Sequence, residues 1–258
     1  MPCASVETET ASSELLALFS GDEERLVVIM EAFIDESGTH KGAPTVSVGA
    51  TLGAHWQWKK FLSHWGDKPF HAKDPRCTAL KLGLFEAMEF AEVTGFSAWI
   101  SPEDYKVTAT EHFKTGLGNA YAVCALSCAI AVCKFCRARD LGKIAFVIEE
   151  GQPNVGFVRS ALEYMMSRDR FKIASVAVAK KKDFVQLCTA DFLAYSRTSD
   201  DAWYQELLNT GRLYEYHVTS DKIKVLAGRI TEGFKRKKRE MRDRLDDDDS
   251  NSKNETPQ

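Results

Sequence analysis

What this chain lacks narrows its function before any motif is considered. Surplus charge is missing: over 258 residues, 34 Lys/Arg stand against 37 Asp/Glu, a formal charge of −3. The segment from Lys235 onward holds 8 basic and 7 acidic residues, leaving 26 against 30 in the rest. That balance argues against holding nucleic acid by bulk electrostatics, so any such contact must come from a local patch or from metal ions. A signal peptide is also missing, because the N-terminus MPCASVETETASSE is polar and acidic. A cytoplasmic, reducing setting with free thiols is the expectation. The longest apolar stretch falls short of the ~18–20 residues of a membrane span, and no internal repeat is visible.

The seven cysteines lack the company that a metal site needs. Cys124, Cys128, Cys133 and Cys136 cluster in NAYAVCALSCAIAVCKFCRARD, and Cys133 and Cys136 make a C-x-x-C pair. No second pair and no histidine lies nearby to complete a zinc set. The segment reads as a buried helix of small apolar residues, in which cysteine packs as a small hydrophobe.

What is present suits one large domain with tails. Hydrophobic residues make up 44% and aromatics 10%, enough for a sizeable core. Residues 1–24 read as a weakly ordered arm. Residues 235–258 run from a basic block to four aspartates and a polar end, a charged disordered tail. Between them, residues 25–234 alternate strand and helix patterns in the order β-β-(α-α)-β-α-β-α-β-α. RLVVIMEAFIDES reads as a buried strand, and APTVSVGATLG as a strand that hairpins back after SGTHKG. LKLGLFEAMEFAEVTG reads as a helix stopped by Gly95, and SPED as a capped helix start with proline at the first position. Strand KIAFVIEEG, helix NVGFVRSALEYMMSRD, strand KIASVAVAK and helix DFVQLCTADFLAYSRTSD follow. The fold class implied is α/β, a mixed sheet covered by helices.

Three apolar elements hold acids where the pattern expects something else. Asp35 ends the first strand, with Glu36 beside it, and Glu149 ends IAFVI, with Glu150 beside it. Ligands of open α/β sheets gather beyond strand carboxyl ends. Glu149 and Glu150 point to opposite faces of an extended chain, and Glu149 is favoured as the inward one. The third acid is Asp191. Phe184, Leu187, Cys188, Asp191 and Tyr195 fall at i, i+3, i+4, i+7 and i+11, so Asp191 shares the apolar face of a helix. A carboxylate there is costly unless it is paired, hydrogen-bonded or metal-bound. Three such acids could together hold Mg²⁺ or Mn²⁺, hard cations that take oxygen ligands and serve phosphodiester cleavage. Each could instead cap a helix, pair with Lys or Arg, or turn to solvent.

FIDESG, PFHAKD, FVIEEG and VQLCTADFLAY, in this order between Leu26 and Ser196, resemble the marks of the domain-of-unknown-function 3800 family. The resemblance implies an RNase H-like fold, and Asp35, Glu149 and Asp191 as metal ligands and catalytic residues. It adds His71 and Asp74 of HAKD as secondary candidates beside Glu36, Glu150 and Asp183. Thr189 in QLCTAD departs from the family's usual small apolar filling. The function implied is a divalent-metal-dependent nuclease or related phosphoryl-transfer enzyme, Asp35 bridging two ions with Glu149 and Asp191 on either side. Nucleic acid, RNA or DNA, is the expected substrate, with Lys180, Lys181 and Lys182 as phosphate contacts. The alternative is a catalytically inactive RNase H-like module that binds nucleic acid or a protein. DESGT also resembles the D-K-T-G-T phosphorylation motif of aspartyl-phosphate pumps and phosphatases, but their later Gly-Asp-Gly-x-x-Asp loop is missing here.

Overall fold

A computed structural model describes residues 28–38, 45–108, 119–199, 202–225 and 228. The arm up to residue 24 and the charged segment from 235 lie outside the described residues. Six strands form one sheet in the order β5-β4-β1-β2-β3-β6. They are β1 (Ile29–Ser37), β2 (Val46–Ala54), β3 (Thr94–Ile100), β4 (Lys143–Glu149), β5 (Ile173–Ala179) and β6 (Leu213–His217). β2 pairs antiparallel with both β1 and β3, while β1–β4, β4–β5 and β3–β6 are parallel, so β2 alone runs against the other five. A β1–β2–β3 meander extended from its β1 edge by parallel β4 and β5 is an RNase H-like α/β arrangement. β6, which continues the sheet beyond β3, is absent from the sequence reading.

The helices are α1 (His55–Trp65), α2 (Lys81–Ala91), α3 (Pro102–Thr108), α4 (Ala120–Ala138), α5 (Val155–Met166), α6 (Leu187–Thr198) and α7 (Ala202–Asn209). α4 and α5 cover one face of the sheet, packing against Ala32, Ile34, Phe146 and Ile148. α1, α2, α6 and α7 cover the other, around Phe33, Trp58, Phe61, Phe192 and Val147. Successive residues of β1 thus alternate between two cores, which explains its nearly continuous apolar run. Phe33 meets Trp58 edge to face with ring centroids 4.9 Å apart. Burying an aromatic of this size contributes roughly 1.5–3 kcal/mol.

Local signals account for the ends. Ser101 Oγ accepts from the Asp104 amide at 3.0 Å at the start of α3, and Asn119 caps α4 by accepting from the Ala122 amide at 3.0 Å. Two boundaries differ from the sequence pattern. α2 ends with Glu92 in the left-handed conformation at φ 58°, and Gly95 already lies in β3. α6 starts at Leu187, so exposed Phe184, which matched the helical spacing, precedes it. By length and composition, the 19-residue α4 could cross a membrane, contrary to the run length read from the sequence. Here it is a core helix, with 67% of its apolar window buried.

Candidate metal centre

The carboxyl ends of β1 and β4 lie side by side because the strands pair in parallel, Ile34 opposite Ile148. Asp35 and Glu149 each follow that last pair, so their carboxylates meet. Asp35 is 1% exposed. Just beyond, Gly38 turns the chain at φ 76°, where a Cβ would lie 1.9 Å from the Thr45 carbonyl oxygen. Only glycine fits that turn. After β5 a turn closes as the Asp183 amide donates to the Lys180 carbonyl at 2.9 Å, and it carries Lys181 over the strand ends. α6 brings Asp191. It lies flush on β2 because Gly49 has no side chain: a Cβ there would sit 2.3 Å from the Ala190 carbonyl oxygen. Thr189 meets Thr51 of β2 through a 2.6 Å hydroxyl contact, which gives the unusual threonine of QLCTAD a packing role.

At the centre is an ammonium. Lys181 Nζ lies 2.8 Å from Asp35 Oδ2, 3.2 Å from Glu149 Oε1 and 3.1 Å from Asp191 Oδ2, and its side chain is only 18% exposed. Asp191 Oδ2 also accepts from the Ala72 amide at 2.9 Å, with His71 Nδ1 3.7 Å away. Asp35 Oδ1 accepts from the Glu36 amide at 2.7 Å. A second acid set overlaps the first: Asp35, Glu36 and Glu149 each offer an oxygen within 4.8 Å of the others. Three carboxylates therefore meet one ammonium, and a fourth, Glu36, joins two of them.

The electrostatics follow from that imbalance. Burial holds the Asp35 carboxyl well above its usual range; its hydrogen bond with the Glu149 carboxyl adds to this, and Lys181 pulls the other way. Burial and the neighbouring Glu149 push Glu36 up to about 7. For Lys181, burial disfavours the charge, but Asp35, Asp191 and Glu149 outweigh it and the ammonium is held more tightly than in water. Tyr121, on α4, is buried, and its hydroxyl has no hydrogen-bond partner among the described residues. Burial first, then the fields of Glu36, Asp35 and Glu149, raise its pKa.

Glu36 Oε2 is buried without a hydrogen-bond donor among the described residues, while Asp35 Oδ2 has the Lys181 ammonium 2.8 Å away. Buried carboxylate oxygens with no donor are costly, and carboxylate oxygens are what Mg²⁺ and Mn²⁺ take. Asp35, Glu36 and Glu149 fit such an ion.

The residues singled out from sequence divide accordingly. Asp35, Glu149 and Asp191 come together, joined through Lys181 rather than as one set at ligand spacing. Glu36, a secondary candidate, is in the cluster. Glu150 is exposed and 3.6 Å from the Lys180 ammonium. Asp74 is corrected to a structural residue: it caps the 3₁₀ turn Pro75–Leu80, and the Arg76 guanidinium hydrogen-bonded to it holds its carboxyl down at about 2. The His71 side chain is 59% exposed, at the edge of the site. Asp183 is exposed in the turn. Lys181, expected as a nucleic-acid contact, turns inward as the counter-ion of the three acids. Lys180 and Lys182 remain exposed.

No family model matches the chain, and no curated protein matches it in sequence. Among solved structures, the chain is similar to RNase HII from Archaeoglobus fulgidus, in a structure of its PCNA complex. Identity is 13%, over 70% of this chain and 77% of that one, with a TM-score of 0.42. It is similar to ribonuclease H2 from Pyrococcus horikoshii OT3 at 12% identity, 70% and 77% coverage and a TM-score of 0.42. It is also similar to Bst-RNase HIII in complex with Mn²⁺ at 16% identity, 78% and 66% coverage and a TM-score of 0.42.

Proposed function

We propose that the chain is a divalent-metal-dependent nuclease, or a related phosphoryl-transfer enzyme, acting on the phosphodiester bonds of RNA or DNA with Mg²⁺ or Mn²⁺. One observation carries this reading. Asp35, Glu36 and Glu149 gather oxygens within 4.8 Å at the carboxyl ends of paired parallel strands, and Glu36 Oε2 is buried with no donor among the described residues. The resemblance of FIDESG and VQLCTADFLAY to the domain-of-unknown-function 3800 family points the same way.

Asp35, Glu36 and Glu149 would hold the ion. Bound there, it supplies Lewis-acid polarisation of a phosphate oxygen and neutralises the carboxylates. Asp191 positions Lys181 and is itself oriented by the Ala72 amide. The Lys181 ammonium is a fixed positive charge at the same place, suited to a developing negative charge on a phosphoryl group. Exposed Lys180 and Lys182 flank it and can meet the phosphates of a strand. Strand cleavage of labelled single- and double-stranded RNA, DNA and hybrids, with Mg²⁺ or Mn²⁺ and with chelator, tests the proposal. Metal-dependent cleavage lost in Asp35→Asn supports it. Absence of cleavage together with absence of metal binding removes it.

A second reading has its own observation. Lys181 already supplies the three carboxylates with a counter-charge, as expected of a catalytically inactive module that keeps the fold and binds nucleic acid or a protein. That module would bind its partner equally well with chelator present.

A further inference from the structure

We infer that the centre holds one divalent cation rather than two, and that Lys181 permanently occupies the second cation's place between Asp35, Glu149 and Asp191. The inference rests on the nuclease reading and deepens it. Two-metal phosphodiester enzymes place their ions ~3.5–4 Å apart, sharing carboxylate oxygens. The acids here also split into two overlapping sets that share Asp35 and Glu149. One set adds Glu36 and has ligand spacing; the other adds Asp191 and surrounds an ammonium.

The two sides differ in what they still lack. On the Asp191 side, Oδ2 already has the Ala72 amide and the Lys181 ammonium. A divalent ion there would have to expel a side chain held by three carboxylates. Removing one member of a buried charge cluster is strongly unfavourable. On the Glu36 side, Glu36 Oε2 is buried with no hydrogen-bond donor among the described residues. The Tyr121 hydroxyl is independent of the acids, 2% exposed and without a hydrogen-bond partner, and it lies in the field of Glu36, Asp35 and Glu149. Unmet polar groups therefore collect on the side where Lys181 is not. A cation tethered to the chain cannot exchange, so metal loading should be a single event with no second-ion phase.

The test counts ions. Mn²⁺ is titrated into the full chain, and bound ion is followed by electron paramagnetic resonance and by calorimetry. One equivalent is expected for the wild type. Lys181→Met should gain a second equivalent, and Lys181→Arg, which keeps the charge, should stay at one. Two equivalents in the wild type, or one in a folded Lys181→Met, overturn the inference and leave the nuclease reading standing. No binding in the wild type overturns both. If Lys181→Met does not fold, the wild-type count and a second equivalent appearing in Lys181→Arg still decide the question.

Discussion

Two regions of this molecule place reactive side chains in apolar surroundings, and they differ in whether a counter-charge comes with them. In α4, Cys124, Cys128, Cys133 and Cys136 are buried against the sheet. Cys128 Sγ donates to the Val48 carbonyl at 3.2 Å, and Cys124 Sγ lies 3.8 Å from that of Val46. Burial pushes Cys133 up to about 12 and Cys136 up to about 11, even with Lys172 and Arg139 near the latter. The thiols are neutral, and neutrality ends their chemistry. At the strand ends, burial acts equally on Asp35, yet Lys181 supplies a charge and the acids remain a cluster with an unmet oxygen. Burial alone quenches; burial with a fixed, insufficient counter-charge leaves carboxylates for the proposed cation to meet.

Removing that counter-charge should have the largest effect. Lys181→Met leaves three carboxylates buried without their cation, and loss of one partner from such a group costs about 3–5 kcal/mol. Denaturant unfolding of the metal-free protein should show a loss of that size, partly recovered by Mn²⁺. An unchanged midpoint would make the strand ends as inert as α4.

The pH dependence comes next. Glu36 is raised to about 7, so the native state binds more protons than the unfolded chain, and stability must fall as pH rises from about 4.5 through 7. At about 1.4 kcal/mol per pH unit the ceiling is about 3 kcal/mol; its partial exposure and coupling to Asp35 reduce the expected loss to about 2 kcal/mol. Asp35 and Glu31, both raised chiefly by burial, act in the same direction. The lowered pKa of Asp140, caused by Lys172, matters only in more acidic solution, and the raised pKa of Lys181 only in alkali. Metal-free protein should melt higher near pH 5 than near pH 8, and Glu36→Gln should flatten the difference. A melting point that rises over this interval would contradict the acid imbalance.

Asp191→Asn should cost less, about 1–2 kcal/mol, because asparagine can still accept from the Ala72 amide and loses only the ionic half of its contacts. The sign departs from what clustered acids alone imply. Mutual repulsion predicts that losing a carboxylate stabilises the metal-free fold, and Lys181 reverses that expectation. Thermal melts with chelator measure it, and a stabilised variant would return Asp191 to the unmet side of the centre.

The residues explain why parts of this centre were legible in the sequence. Asp35 and Glu149 stand out because an acid that ends an apolar strand breaks a local pattern, and Asp191 because it breaks a helical one. The alternation of strand and helix implied a mixed sheet, but that β1 and β4 are parallel neighbours whose ends meet is set by the pairing itself. Lys181 sits in a run of three lysines, and its inward turn depends on the chain folding back after β5, a non-local event. Strand alternation sends Glu36 to the face opposite Asp35, so nothing local announces that its carboxylate lies within reach of the other two. Leu213–His217 is too short and too mixed to show as a strand; its place depends on pairing with β3. Gly49, which lets α6 lie flush on β2, looks like any strand glycine until the helix is in place.

The smallest expected effect belongs to the other half of the comparison. Cys133→Ala removes one sulfur from a packed interior and exposes no charge, so the loss should be about 1 kcal/mol. Cys136→Ala should behave alike. Neither should change bound metal, since the described cysteines are free and no histidine or carboxylate joins them at ligand spacing among the described residues. Elemental analysis of the purified wild type should find no stoichiometric zinc or iron. An equivalent of zinc that disappears in Cys133→Ala would mean that a metal draws thiolates out of α4 despite burial. Burial without a counter-charge would then no longer be what silences the thiols, and the contrast with the strand ends would rest on Lys181 alone.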